Sequence, residues 1–176
     1  MTYYGARELA ESLRIVRKNT LQIAEEIPEA QFSFTPTPDT RSVGRLLTHI
    51  ALGYRFQQQI HAIEGRTTLE GFDFPALMQK LGDEEAKSRS KAEIIDLLTR
   101  DGDAWASWAG ALSEDFLGQR VQFPGEPPTS KSRFEMLLST KEHEMHHRGQ
   151  LMLVERLLGI VPHLTRERQA RMQTRR

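Results

Sequence analysis

Four stretches of this chain repeat apolar residues at steps of three and four, and each is closed by a local stop signal. That pattern restricts the fold to packed helices. The first stretch runs from about Ala6 to Ile27, with Leu9, Leu13, Val16, Thr20, Ile23 and Ile27 on one side, and Pro28 ends it. The second spans about Val43 to Glu64, with Ser42 as its N-cap and Gly65 as its end. Ser90-Lys91-Ala92-Glu93 is a capping box that opens the third, about Lys91 to Leu112. Ser132-Arg133-Phe134-Glu135 repeats the box and opens the fourth, which reaches Leu158 before Gly159 and Pro162. Between them, Pro28–Arg41 is rich in proline and threonine, and Gly65–Arg89 has room for one short helix near Pro75–Leu81. Leu117–Ser130 is broken by Gly118, Pro124-Gly125 and Pro127-Pro128, with Val121-Gln122-Phe123 as an extended piece. The prediction is an all-α fold, a four-helix bundle whose long connections permit crossovers.

The 176 residues are enough for one bundle domain, placed at residues 1–164, followed by a basic tail at 165–176. That tail holds Arg166, Arg168, Arg171, Arg175 and Arg176 with a single glutamate, and reads as a solvated or frayed end. Lysine plus arginine, 24, balances aspartate plus glutamate, 24, so no nucleic-acid-binding surface is expected. Cysteine is absent, which excludes disulfides, thiolate ligands and a cysteine nucleophile. No apolar run reaches the length of a membrane span, and Met1-Thr2-Tyr3-Tyr4-Gly5 does not read as a signal peptide. A cytoplasmic protein without membrane or nucleic-acid partners is the expectation.

The chemistry concentrates in His143-Glu144-Met145-His146-His147-Arg148-Gly149-Gln150-Leu151, which holds three of the six histidines. His143 and His147 are four residues apart and share one helical face, the spacing at which one helix offers two imidazoles to one ion. Their stripe, Met136, Thr140, His143, His147, Leu151, Val154 and Leu158, is otherwise mostly apolar and should face a core. A buried ring that finds no partner costs about 1–3 kcal/mol. Helical carbonyls are already used, so a metal is one way to satisfy both rings; a pair of hydrogen-bonded core histidines or a solvated cluster is the other. His49 lies on a second inward stripe with Leu46, Gly53, Phe56, Ile60 and Ile63. Three histidines without an obvious fourth protein ligand leave a position for water or substrate, as in catalytic sites.

Ser42-Val43-Gly44-Arg45-Leu46-Leu47-Thr48-His49 together with His143–Leu151 resembles the DinB-like (damage-inducible) family. Phe34-Thr35-Pro36 and Glu155-Arg156-Leu157-Leu158-Gly159-Ile160 extend the likeness over essentially the whole chain. The resemblance implies a four-helix bundle, commonly dimeric, with His49, His143 and His147 as ligands to a divalent metal, zinc or nickel by imidazole preference. It also implies, for some relatives, metal-assisted transfer of a low-molecular-weight thiol. Numerous relatives carry a further histidine one turn before the first ligand of the last helix; here that residue is Ser139.

Other residues receive subsidiary roles. His146 reads as an inter-helix hydrogen bonder or a support to a ligand, and Glu144 with Arg148 as a helix-surface ion pair. Gln150 is a candidate to orient water or simply a surface group. His61, twelve residues beyond His49, should be turned away and solvated. Trp105 and Trp108 read as core packing, with a substrate-pocket wall as the alternative. Asp101 is a candidate acceptor for a histidine's second nitrogen. Leu21 and Ile15 form a second apolar patch that suits a homodimer. Two functions are compatible with these residues, and no residue is assigned a catalytic role. One is a metal-dependent enzyme that activates water or a low-molecular-weight thiol toward a small-molecule substrate, as a hydrolase or thiol S-transferase. The other is a non-catalytic dimeric metal-binding or small-molecule-sensing module.

Overall fold

The computed structural model describes residues 4–174. Met1–Tyr3 of the opening stretch, and Arg175 and Arg176 of the tail, lie outside them. Helix α1 covers Ala6–Glu26, and a second helical segment follows as α2, Val43–Leu52, α3, Arg55–Gln58, and a π turn at Gln59–Ile63. Next come α4, Phe74–Glu85, α5, Lys91–Gly110, and the short α6, Glu114–Gly118. Strands β1, Arg120–Phe123, and β2, Thr129–Ser132, pair antiparallel with Val121 opposite Lys131, and α7, Arg133–Leu157, and α8, His163–Gln173, complete the order.

The caps read from sequence are formed. The Ser42 hydroxyl accepts the Arg45 amide, and reciprocal boxes stand at Ser90/Glu93 and Ser132/Glu135. Gly65 and Gly159 take positive φ, 60° and 77°, where a side chain would be strained. The four main helical segments form a four-helix bundle in which α1 touches α5 and α7, and α2 touches the same two. Consecutive α1 and α2 therefore sit on a diagonal, which the loop at residues 27–42 makes possible.

Three differences from the sequence reading matter. The second helix is not continuous: it breaks at Gly53-Tyr54 and widens into a π turn. The crossover helix α4 is longer than expected and ends at Glu85, not Leu81. Residues 165–173 are helical, though exposed from Arg166 on, and α8 docks on α1 through the buried His163, whose Nε2 lies 3.2 Å from Asn19 Oδ1, and through the Arg166–Glu26 ion pair at 2.6 Å.

One core cluster gathers Ile23, Leu47, Ile50, Leu98, Leu151 and Val154; a second gathers Leu9, Leu13, Tyr54, Trp105 and Leu137. Along α7, His143 and His147 fall between Leu137 of the one and Leu151 of the other. The core also encloses titratable groups. His61 is buried and its pKa is pushed down to about 4 by burial and by Arg133. Glu155 is fully buried with neither carboxyl oxygen hydrogen-bonded, and burial with nearby Glu26 raises it to about 7.

These two shifts act on stability in opposite directions. The fold prefers neutral His61, so that contribution is complete above the unfolded pKa and is lost as pH falls through about 4. Its size is on the order of 3 kcal/mol. The fold prefers protonated Glu155, so that contribution is complete below the ordinary carboxylate range and is lost as pH rises through about 7. The two windows overlap, so between about pH 4.5 and 6.5 the contributions offset each other in the urea midpoint of the wild type. His61→Gln should leave midpoints that fall as pH rises from about 4.5 to 7, and Glu155→Gln midpoints that fall as pH drops from about 6.5 to 4.

Candidate metal centre

His49 sits near the C-terminal end of α2, and His143 and His147 are one turn apart on α7. All three are half-buried. The two helices are neighbours in the bundle, so the inward stripes meet. Nε2 of His49 lies 3.0 Å from Nε2 of His143. Ring centroids are 4.9 Å apart for His49 and His143, 4.7 Å for His49 and His147, and 4.5 Å for His143 and His147. One nitrogen from each ring falls within 4.8 Å of the others, so the three could hold a metal ion; among the described residues this is the group that does so.

Hydrogen bonds to the outer nitrogens set the tautomers. Nδ1 of His49 donates to Glu85 Oε2 at 2.9 Å, and Nδ1 of His147 donates to Gln150 Oε1 at 2.7 Å. Each leaves an Nε2 lone pair free on the inner side, the arrangement in which imidazole ligates. Burial favours the neutral form of all three rings; His143, also facing His147 and His49, is pushed down to about 4. Two ring nitrogens 3.0 Å apart need something positive between them, a proton or a cation, so the donor set fits a divalent ion. Gly53 makes room: a Cβ there would stand 2.7 Å from His143 Nδ1.

Glu85 is the residue the sequence reading missed. It is buried, and it binds Arg41 Nε at 2.7 Å and Arg45 Nη2 at 3.3 Å as well as His49. Burial alone would raise its pKa, but the bonds from Arg41 and His49 outweigh it and hold the carboxylate ionised. A signal was present: Phe74, Met78, Leu81 and Glu85 follow at steps of four, three and four, so the carboxylate continues an apolar stripe. Ending the helix at Leu81 hid it.

Asp101 does not serve a histidine. It is buried against Tyr54 Oη at 3.2 Å, Arg55 Nη2 at 3.1 Å and Arg100 Nε at 3.0 Å. His61 is not solvated; Arg133 Nη1 donates to its Nδ1 at 2.8 Å and its Nε2 donates to Gln57 Oε1 at 2.9 Å. The break at Gly53 and the wider π turn shift the helical phase that had placed it outside. His146 is exposed and meets Gln150 of its own helix at 3.3 Å, not another helix. Glu144 is buried in a two-pronged bond with Arg17, 2.9 Å at each prong, rather than paired with Arg148 on the surface. Trp105 and Trp108 stack at 4.6 Å beside the second core cluster, as packing residues do. A cleft of about 580 Å³ opens on His49 and His143.

None of the curated proteins compared matches the chain. Among solved structures, a DinB-like protein from Bacillus cereus superposes with a TM-score of 0.68 at 16% identity, covering 92% of this chain and 97% of that one. A DinB-like protein from Bacillus subtilis gives 0.63 at 18% identity, with 86% and 92% covered. YfiT from Bacillus subtilis, described as a probable metal-dependent hydrolase with an unusual four-helix bundle topology, gives 0.66 at 15% identity, with 91% of each chain covered. At such identities the likeness establishes the fold. The family model of the DinB superfamily matches residues 12–151, a span that includes all three converging histidines, and the chain belongs to that superfamily.

Proposed function

We propose that this chain is a divalent-metal-dependent enzyme that holds zinc or nickel through His49, His143 and His147 and activates water or a low-molecular-weight thiol toward a small-molecule substrate. The observation that carries the proposal is the convergence of three neutral imidazoles, two of them with their outer nitrogens already engaged. The description of YfiT as a probable metal-dependent hydrolase agrees with it. Lewis acidity is the chemistry such an ion supplies: it favours the deprotonated nucleophile and polarises the electrophile. The protein's own part is positional. Glu85 and Gln150 fix two rings, Gly53 admits the third, and the adjoining cleft admits substrate. With no cysteine in the chain, a thiol nucleophile arrives as cosubstrate. That open cleft supports the enzyme over the non-catalytic module.

On this proposal residues 1–164 form the functional domain of a cytoplasmic homodimer. Leu21 is packed onto the core, so the patch expected on α1 is reduced to Ile15. A better face is on α7, where Met145, Leu153 and Leu157 are exposed on one side with Val161 just beyond. Light scattering should give twice the chain mass, and Leu153→Glu with Leu157→Glu should return the monomer mass.

Protein purified without an affinity resin should contain about one divalent ion per chain. His147→Ala should lose it and His61→Gln should keep it, measured by elemental analysis. Glu85→Gln should weaken binding roughly 10–100-fold in a chelator titration, whereas Asp101→Asn should leave it unchanged. Acid should release the ion as the ligands protonate, and the depressed histidine pKa values place that loss below their usual range, toward pH 4 for His143. Equal metal content in wild type and His147→Ala would overturn the assignment.

A further inference from the structure

We infer that the cleft beside the histidines takes an uncharged, ring-sized apolar group of the substrate and so presents the reacting group at the Nε2 atoms of His49 and His143. This rests on the metal-dependent function proposed above and adds to it a substrate class. The cleft, about 580 Å³, is walled by Leu52, Phe56, Phe74, Met78 and Leu81, and the two histidines share its lining. Its size is that of a site for a small organic ligand.

The walls argue for an aromatic or similarly flat occupant. Phe56 and Phe74 stack at 5.6 Å, and Phe72 meets Phe74 edge-on at 4.7 Å, giving a braced aromatic surface. On α4, Leu77 and Glu85 are the buried residues. Phe74, Met78 and Leu81 instead line the cleft, and Met78 is 46% exposed there. Phe74 also packs on the core cluster of Ile60, Leu69, Val121 and Met136, and Met78 and Leu81 continue the row along the cleft that the two histidines line, as a wall for an apolar ligand would.

Charge argues for a neutral one. Arg41 and Glu85 are the charged side chains along the lining other than histidine, and they are bound to each other at 2.7 Å. The polar lining is also spent. Gln57 Nε2 donates to Ser139 Oγ at 3.3 Å, Gln57 Oε1 accepts from His61, and the Ser139 hydroxyl donates to the Met136 carbonyl at 2.5 Å. A charged ligand would give up its hydration without an open partner here, whereas an apolar ring gives up none.

Acetohydroxamic and benzohydroxamic acids share one metal-binding head and differ by a ring, so calorimetry on zinc-loaded protein separates the two claims. Benzohydroxamate should bind roughly 10-fold or more tightly than acetohydroxamate, as expected for burying one ring. Met78→Asp should abolish that preference while leaving acetohydroxamate binding unchanged. Equal affinities in the wild type, or a preference that survives Met78→Asp, would overturn the cleft assignment with the metal function intact. If neither hydroxamate binds and no zinc is retained, the metal function fails. The cleft is then decided on the protein as purified, by titrating indole and following methionine methyl resonances. A shift at Met78 with Met145 and Met172 unmoved sustains the cleft, and any other pattern rejects it.

Discussion

The buried ion pair between Arg17 and Glu144 holds the bundle together at the level of the histidines. Arg17 on α1 grips Glu144 on α7 with two nitrogens and donates a third hydrogen bond, 2.6 Å, to the Leu98 carbonyl of α5. Three of the four main helices are thereby tied at one point. Losing one partner of such a pair strands a buried charge, at about 3–5 kcal/mol. The pair needs room, and Gly102 provides it: a Cβ there would stand 2.7 Å from Arg17 Nη1. Glu144 directly follows His143, so fixing its direction fixes the rotation of α7 about its axis. That rotation decides whether His143 and His147 point at α2.

The opposite side of the cluster is set by the crossover helix. His49 could turn about its side-chain bonds, but Glu85 holds its Nδ1, and Arg41 and Arg45 hold Glu85. Both arginines flank the start of α2, so the crossover is anchored to the helix whose histidine it orients. One helix, α4, then carries both the carboxylate that fixes His49 and the apolar row that walls the cleft. Ligand recognition and ring orientation are coupled through a single rigid element, a stronger arrangement than a loop of the same length would give.

Local signals were legible in the sequence, and pairings across the fold were not. Ser42, Ser90 and Ser132 announced helix starts because capping is decided within three residues. The histidine cluster was legible because each histidine interrupts an apolar stripe, and two such stripes must meet inside a bundle. Glu144 was misassigned for the converse reason: Arg148 lies four residues away, whereas its partner Arg17 lies 127 residues away and no spacing rule reaches it. His61 was misplaced because a helix read as continuous carries its phase past Gly53, where the chain actually breaks. Asp101 and Glu85 are both buried carboxylates near inward stripes. Only the packing of α4 on α2 determines which one meets a histidine.

The electrostatics of the site favour the proposed chemistry over simple metal storage. Three imidazoles held neutral by burial add no negative charge, so a divalent ion among them keeps its full attraction for an anionic nucleophile. The nearest acid, Glu85, could have cancelled part of that charge. It is directed instead at the outer nitrogen of His49 and is compensated by two arginines. Its position makes His49 a better donor without making the site less positive. A structural centre gains from closing its coordination with a fourth protein ligand. Here Ser139, one turn before His143 on α7, turns its hydroxyl to the Met136 carbonyl and leaves the cleft side open.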